Sequence, residues 1–167
     1  MRLFAYQRSN GNESVGALIK GSTDEFVDLC ATDNQIPRSL QLIIGDESLL
    51  NRANTALINP NAVRGKTSSI SFKPPIARPG KIVCMGLNYA DHAKELAFKA
   101  PEEPLVFVKG EASLIGHKAF TRRPQDATHM HYECELAVVI GRTAKNVKKE
   151  NAYDHVGGYT VANDYAI

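Results

Sequence analysis

Short apolar segments, several of them alternating with polar residues, are separated by turn residues along the chain. The segment "RLFAYQRS" has the period of two expected of a half-buried strand, and "NGNE" behind it is a turn signal. "SVGALIKG" and "EFVDL" read as two further short strands. Pro37 opens a predicted helix through "PRSLQLIIGD", with Gly45 near its end. "DESLLNRANTAL" carries leucines at helical spacing, with Asp46 as its N-cap. The prolines of "SISFKPPIARPGK" then break regular structure and place a junction between Lys73 and Gly80. The expected organisation is a small α/β leading region over residues 1–75 and a main region over residues 80–167.

Beyond the junction, "KIVCMGLNY" begins as a strand from Lys81 to Met85 and turns at Gly86. "NYADHAKELA" follows as a predicted helix, with Asn88 as N-cap and Asp91 favouring the positive helix end. "PLVFVKG" is a strand, and loop-rich sequence leads to "RRPQDATHMH". A long strand from Tyr132 to Gly141 comes next, then a short helix in "KENAYDHVG" and a last strand in "GYTVANDYAI".

Composition narrows the classes. A chain of 167 residues can form one domain with a real core and a small appendage. Its net charge of +2 gives no electrostatic reason to expect nucleic acid or a membrane surface as partner. Arg122-Arg123 and the lysines from Lys145 to Lys149 are flanked by acidic residues and read as solvated surface. Cys30, Cys84 and Cys134 are widely spaced without a CxxC pair, which suits reduced thiols in a cytoplasmic protein. The N-terminus has no apolar stretch of the signal-peptide kind, and no run approaches the ~20 apolar residues of a membrane span.

Two constellations could carry chemistry. In "HYECELAVVIG", Glu133 and Glu135 stand two apart on a strand and so share a face. Like charges that close repel, and a hard cation such as Mg²⁺, Mn²⁺ or Ca²⁺ between them would relieve this. Asp164, at the end of another strand, is a candidate third ligand, leaving about three positions of an octahedral ion open. The same spacing also suits ordinary glutamates on a solvent-facing strand. His92 and Glu95 lie three apart on the predicted helix, where a carboxylate can orient an imidazole as a general base. An exposed helical pair is the structural alternative. His129 and His131 form an H-x-H at a strand entry, a poor metal signal by itself. His117 reads as a turn residue and His155 as a solvated one. Dinucleotide-loop, Walker A and nucleophile-elbow spacings are absent.

The ordered set "GLNYADHAKE", "PLVFVKG", "HYECELAVVIGR" and "GYTVANDYAI" resembles the fumarylacetoacetate hydrolase family over Lys81 to Ile167. That resemblance implies a mostly β, rolled-sheet core with short helices, commonly dimeric. It implies metal ligands at Glu133, Glu135 and Asp164, a catalytic dyad at His92 and Glu95, and a substrate-binding Lys109. The implied activity is metal-dependent hydrolysis, decarboxylation or isomerisation of small 2-oxo or 1,3-dioxo carboxylic acids, through an enolate that Mg²⁺ or Mn²⁺ would stabilise. The ending "GYTVANDYAI" is most similar to the decarboxylase/isomerase branch of 4-hydroxyphenylacetate breakdown. A C–C bond hydrolase of the acylpyruvate or fumarylpyruvate type is the alternative. Family members continue past the position of Ile167 with an arginine and further strands, so a C-terminally shortened chain is expected. Such a chain would not work as an isolated monomer, or would serve as a non-catalytic family member.

Overall fold

The computed structural model describes residues 1–89, 91 and 101–167. Their structure is mostly β with short helices. Strands β1 (Leu3–Gln7), β2 (Glu13–Leu18), β3 (Glu25–Asp28), β4 (Arg64–Lys66) and β5 (Ser71–Phe72) form an antiparallel sheet in the order β4-β3-β2-β1-β5. The β1–β2 hairpin turns in "NGNE" as expected. Gly11, at φ 83°, takes the left-handed conformation there, which costs glycine little.

The strand period of two divides the sheet's side chains. Val15, Ala17 and Val27 pack with Leu29, Ile36, Leu40, Ile43, Ala53 and Ala56 in one hydrophobic core. Those residues come from the sheet, from helices α1 (Leu29–Thr32), α2 (Leu40–Gly45) and α3 (Glu47–Ile58), and from the loop between α1 and α2. The alternate positions gather Phe4, Tyr6, Phe26 and Phe72, whose neighbouring ring centroids lie 5.2–5.7 Å apart. Gly65 makes room for them, since a β-carbon there would stand 2.8 Å from the Phe26 ring.

Two local expectations change. "EFVDL" does not remain a strand to its end, because the Asp28 carboxylate accepts a hydrogen bond from the Ala31 N–H at 3.0 Å and caps α1. The second helix starts at Leu40 rather than Pro37. The Pro37 carbonyl is taken by the Cys30 thiol at 3.5 Å, and the first helical bond runs from the Ile43 N–H to the Ser39 carbonyl at 3.3 Å. Asp46 caps α3 as expected, accepting from the Leu49 N–H at 3.0 Å.

The described residues fall into two compact units, Met1–Pro75 with Gly116–Ile167 and Ile76–Ile115. The second holds an antiparallel hairpin of β6 (Ile82–Gly86) and β7 (Leu105–Lys109). Most of the helix expected from "NYADHAKELA" lies outside the described residues. The first unit also contains β8 (His131–Ile140) and β9 (Val156–Ala166), paired antiparallel along almost their whole length. The short helix predicted between them is a 3-10 segment, Lys149–His155.

At one end of this hairpin the backbones of Gly141, Gly157 and the end of α2 come together. A β-carbon on Gly141 would stand 2.8 Å from the Gly157 Cα and 3.0 Å from the Ile44 carbonyl oxygen. Only glycine at Gly141 leaves those atoms undisturbed. The leading sheet thereby docks to the hairpin through α2. No helix among the described residues is long and apolar enough to cross a membrane.

Candidate metal centre

The β8 sequence fixes two different faces. Glu133, Glu135, Ala137 and Val139 are half-buried, while Tyr132, Leu136, Val138 and Ile140 are exposed. The carboxylates therefore stand on the more protected side of the hairpin, where their mutual repulsion is less screened than in open water. Antiparallel register brings the third one in: Glu133 pairs with Asp164 across the strands, and Glu135 with Ala162. Directly paired residues share a face, with β-carbons about 5 Å apart. The Glu133 N–H donates to the Asn163 Oδ1 at 3.0 Å, a side-chain bond that holds β9 in this register.

Glu133, Glu135 and Asp164 thus lie on one face in neighbouring positions, and each of them has an interaction partner. Their side chains are not drawn into a ligand shell: among the described residues, no group of three or more His, Cys, Asp or Glu is placed to hold a metal ion. The donor set is all oxygen, which fits Mg²⁺ or Mn²⁺ in type and not zinc. Modest side-chain rotation on a fixed backbone would have to complete it.

The other expected site residues are placed less fully. Lys109 ends β7 in the unit Ile76–Ile115, half-buried and paired in register with Ile82. It also has an interaction partner. His92 and Glu95 lie outside the described residues.

The histidines correct one expectation and extend another. His155 is not simply solvated, because its Nδ1 is buried without a hydrogen-bond partner among the described residues. Its carbonyl accepts the Gly141 N–H at 2.9 Å. His117 does more than turn the chain, stacking edge-on against Phe72 with centroids 5.1 Å apart. His131 enters β8 and pairs with Ala166, so it extends the Glu133–Glu135 face by one step. Extending the period of two from E-x-E back to H-x-E-x-E would have marked it.

A second group of charges is structural. Asp28, buried under the leading sheet, accepts hydrogen bonds from the Tyr6 hydroxyl at 2.5 Å, Arg8 Nε and Nη2 at 2.8 Å and the Ser14 hydroxyl at 2.7 Å. Burial pushes its carboxyl up, but the bonds from Arg8, Tyr6 and Ser14 outweigh this and hold it below the usual carboxylate range. Burial, then the bond to Asp28, pushes the Tyr6 phenol up to about 12. The Asp28 carboxylate is thus held by donors from within the fold, which makes this a structural network.

Comparison with known proteins shows the family. Residues 81–167 match the family described as fumarylacetoacetate (FAA) hydrolase C-terminal. The chain belongs to the fumarylacetoacetate hydrolase family. It is 38% identical to oxaloacetate tautomerase fahd2, mitochondrial, of Xenopus laevis over 98% of this chain and 51% of that protein. It is 53% identical to the homoprotocatechuate catabolism bifunctional isomerase/decarboxylase of Escherichia coli over 62% of this chain and 24% of that protein. The chain thus spans about a quarter to a half of the length of these relatives. Its structure also resembles maleylpyruvate hydrolase from Sphingobium sp. SYK-6, solved in complex with manganese (II) ion and pyruvate. That match has a TM-score of 0.76 at 27% identity and covers 99% of this chain and 58% of the other.

Proposed function

We propose that this protein is a divalent-metal-dependent enzyme of 2-oxo and 1,3-dioxo carboxylic acids, of the decarboxylase/isomerase type in aromatic catabolism. One observation carries the reading: β8–β9 register puts Asp164 opposite Glu133, on the face that also bears Glu135. The isomerase/decarboxylase and tautomerase relatives support it, since both names describe reactions that move a proton or carboxyl group beside a carbonyl. A bound divalent ion, Mg²⁺ or Mn²⁺, would supply Lewis acidity toward the 2-oxo carboxylate. Glu133, Glu135 and Asp164 would hold it. His92, oriented by Glu95, would move the proton at the substrate carbon, and Lys109 would bind the substrate. The proposal includes a homodimer and a cytoplasmic location.

C–C bond hydrolysis is the second reading, favoured by the likeness to maleylpyruvate hydrolase. There His92 and Glu95 would activate water instead. The test is a panel of 2-oxo diacids assayed with Mg²⁺ or Mn²⁺, following CO₂ release, enol absorbance and product acid separately. CO₂ release or enol interconversion is the expected signal. Clean cleavage to two acids without either would select the hydrolase, and no turnover together with no Mn²⁺ binding would overturn both.

A further inference from the structure

On the carboxylate face of the hairpin, His131 stands one step beyond Glu133, and its cross-strand partner is the small Ala166. Same-face neighbours on a strand are about 7 Å apart, so the imidazole flanks the carboxylates without crowding them. The ring is not loose. It meets the His129 ring edge to face, with centroids 5.0 Å apart and an interplanar angle of 84°. His129 in turn shares a hydrogen bond with the Thr128 hydroxyl through Nδ1 at 3.1 Å. His131 is exposed, whereas Glu133, Glu135 and Asp164 are half-buried, so it sits toward the open end of the face.

The charge on this face poses a problem for the substrates proposed above. The three carboxylates of these strand positions carry one more negative charge than a divalent ion supplies. A dicarboxylate arriving there needs a hydrogen-bond donor for the carboxylate that does not meet the ion. The strand positions on this face are otherwise carboxylates, small or apolar residues and Thr160, and Thr160 stands at the other end, opposite Ala137. Of the strand positions on this face, His131 alone carries a side-chain nitrogen donor. It stands one step outside the Glu133–Asp164 pair, at the exposed end of the face, and so is placed as a substrate-side residue and not as a fourth ligand.

We infer that His131 binds the remote carboxylate of a 2-oxo dicarboxylic acid and selects dicarboxylates over monocarboxylates. The inference rests on the metal-site reading and deepens it. The closing experiment is calorimetric titration of the Mn²⁺-loaded protein with pyruvate and with 2-oxoglutarate, in the wild type and in His131→Ala and His131→Asn. The wild type should bind 2-oxoglutarate more tightly. His131→Ala should weaken 2-oxoglutarate about tenfold, the usual worth of a charge-assisted hydrogen bond. It should leave pyruvate within about twofold and Mn²⁺ affinity unchanged, and His131→Asn, which keeps an N–H donor, should recover part of the loss.

Equal weakening of both acids, or none, would overturn the inference while leaving the metal site standing. Loss of Mn²⁺ affinity in His131→Ala would make His131 a ligand and overturn it too. A wild-type protein that binds no Mn²⁺ would remove the metal site itself, and the inference with it.

Discussion

The leading sheet and the β8–β9 hairpin use the same alternating chain to opposite ends. In β2 every residue from Ser14 to Ala17 is buried, with apolar side chains on one face and Ser14 under the aromatic cluster on the other. In β8 no residue is fully buried; one face carries half-buried carboxylates and the other exposes Leu136 at 62% and Tyr132 at 78%. Among the described residues, all the buried hydrophobic side chains lie between Tyr6 and Ala56. Stability is therefore concentrated in one region and candidate chemistry in another. The two are linked where α2 meets Gly141 and Gly157.

Substitutions should separate the regions. The largest effect is expected at the site. Glu135→Ala should lower metal-dependent turnover by on the order of a thousandfold or more, because one of the three proposed oxygen ligands would be lost. It should leave the unfolding free energy within about 0.5 kcal/mol of wild type, since Glu135 is half-buried outside the leading sheet's core. Unchanged turnover and Mn²⁺ binding would remove Glu135 from the site. Leu29→Ala makes the opposite case. Leu29 is fully buried in the core, and truncating it should cost about 3 kcal/mol in denaturant unfolding. Mn²⁺ affinity, measured where the variant is folded, should not change. A loss of Mn²⁺ affinity there would mean that the regions are not separable.

How far this division could be read from the chain depended on the kind of signal. The helix α3 and the strands β8 and β9 were legible because their periods are long and their caps or turns are conventional. The α1 turn was not, since Asp28 is at once a strand end, a helix cap and the centre of a buried hydrogen-bond network. Such a role depends on residues 14 to 22 positions away, which local propensity cannot register. The site shows the same limit. Period two put Glu133 and Glu135 on one face, but only the pairing register shows Asp164 opposite Glu133. Single-strand spacing cannot fix a cross-strand partner. His131 reads in the sequence as half of an H-x-H, yet the alternation that joins the glutamates joins it to them as well.

The comparison also predicts a dependence on pH that belongs to the leading sheet. Tyr6 has its phenol pushed up to about 12 in the fold, against about 10 in an unfolded chain. Its contribution is thus complete below about pH 10 and is lost as pH rises toward 12. Asp28 is held below the ordinary carboxylate value of about 3.9, so its contribution is complete above that value and lost as pH falls through the lower folded one. Denaturant midpoints across pH should fall at both ends. Tyr6→Phe should flatten the alkaline fall at a cost of about 1.5–3 kcal/mol near neutrality, the worth of a hydrogen bond to a charged group. An alkaline fall that persists in Tyr6→Phe would assign it to another group.

The smallest effect should come from the exposed face of the hairpin, and its smallness is informative. Val161, 70% exposed on β9, pairs in register with Leu136. Removing two methyl groups from water-facing positions forfeits little burial, so Val161→Ala should change the unfolding free energy of this chain by no more than about 0.5 kcal/mol. The same substitution at Val15, which is fully buried, should cost several times as much, because the lost methyls leave a cavity. Measured side by side, the two valines test whether alternation or enclosure sets a strand's contribution. If Val161→Ala proves as costly as Val15→Ala, this face is covered in solution and the division between a stabilising sheet and a chemical hairpin fails. If the costs differ as expected, identical strand chemistry is worth what its surroundings enclose, and the hairpin's carboxylates rest on a fold whose stability is set elsewhere.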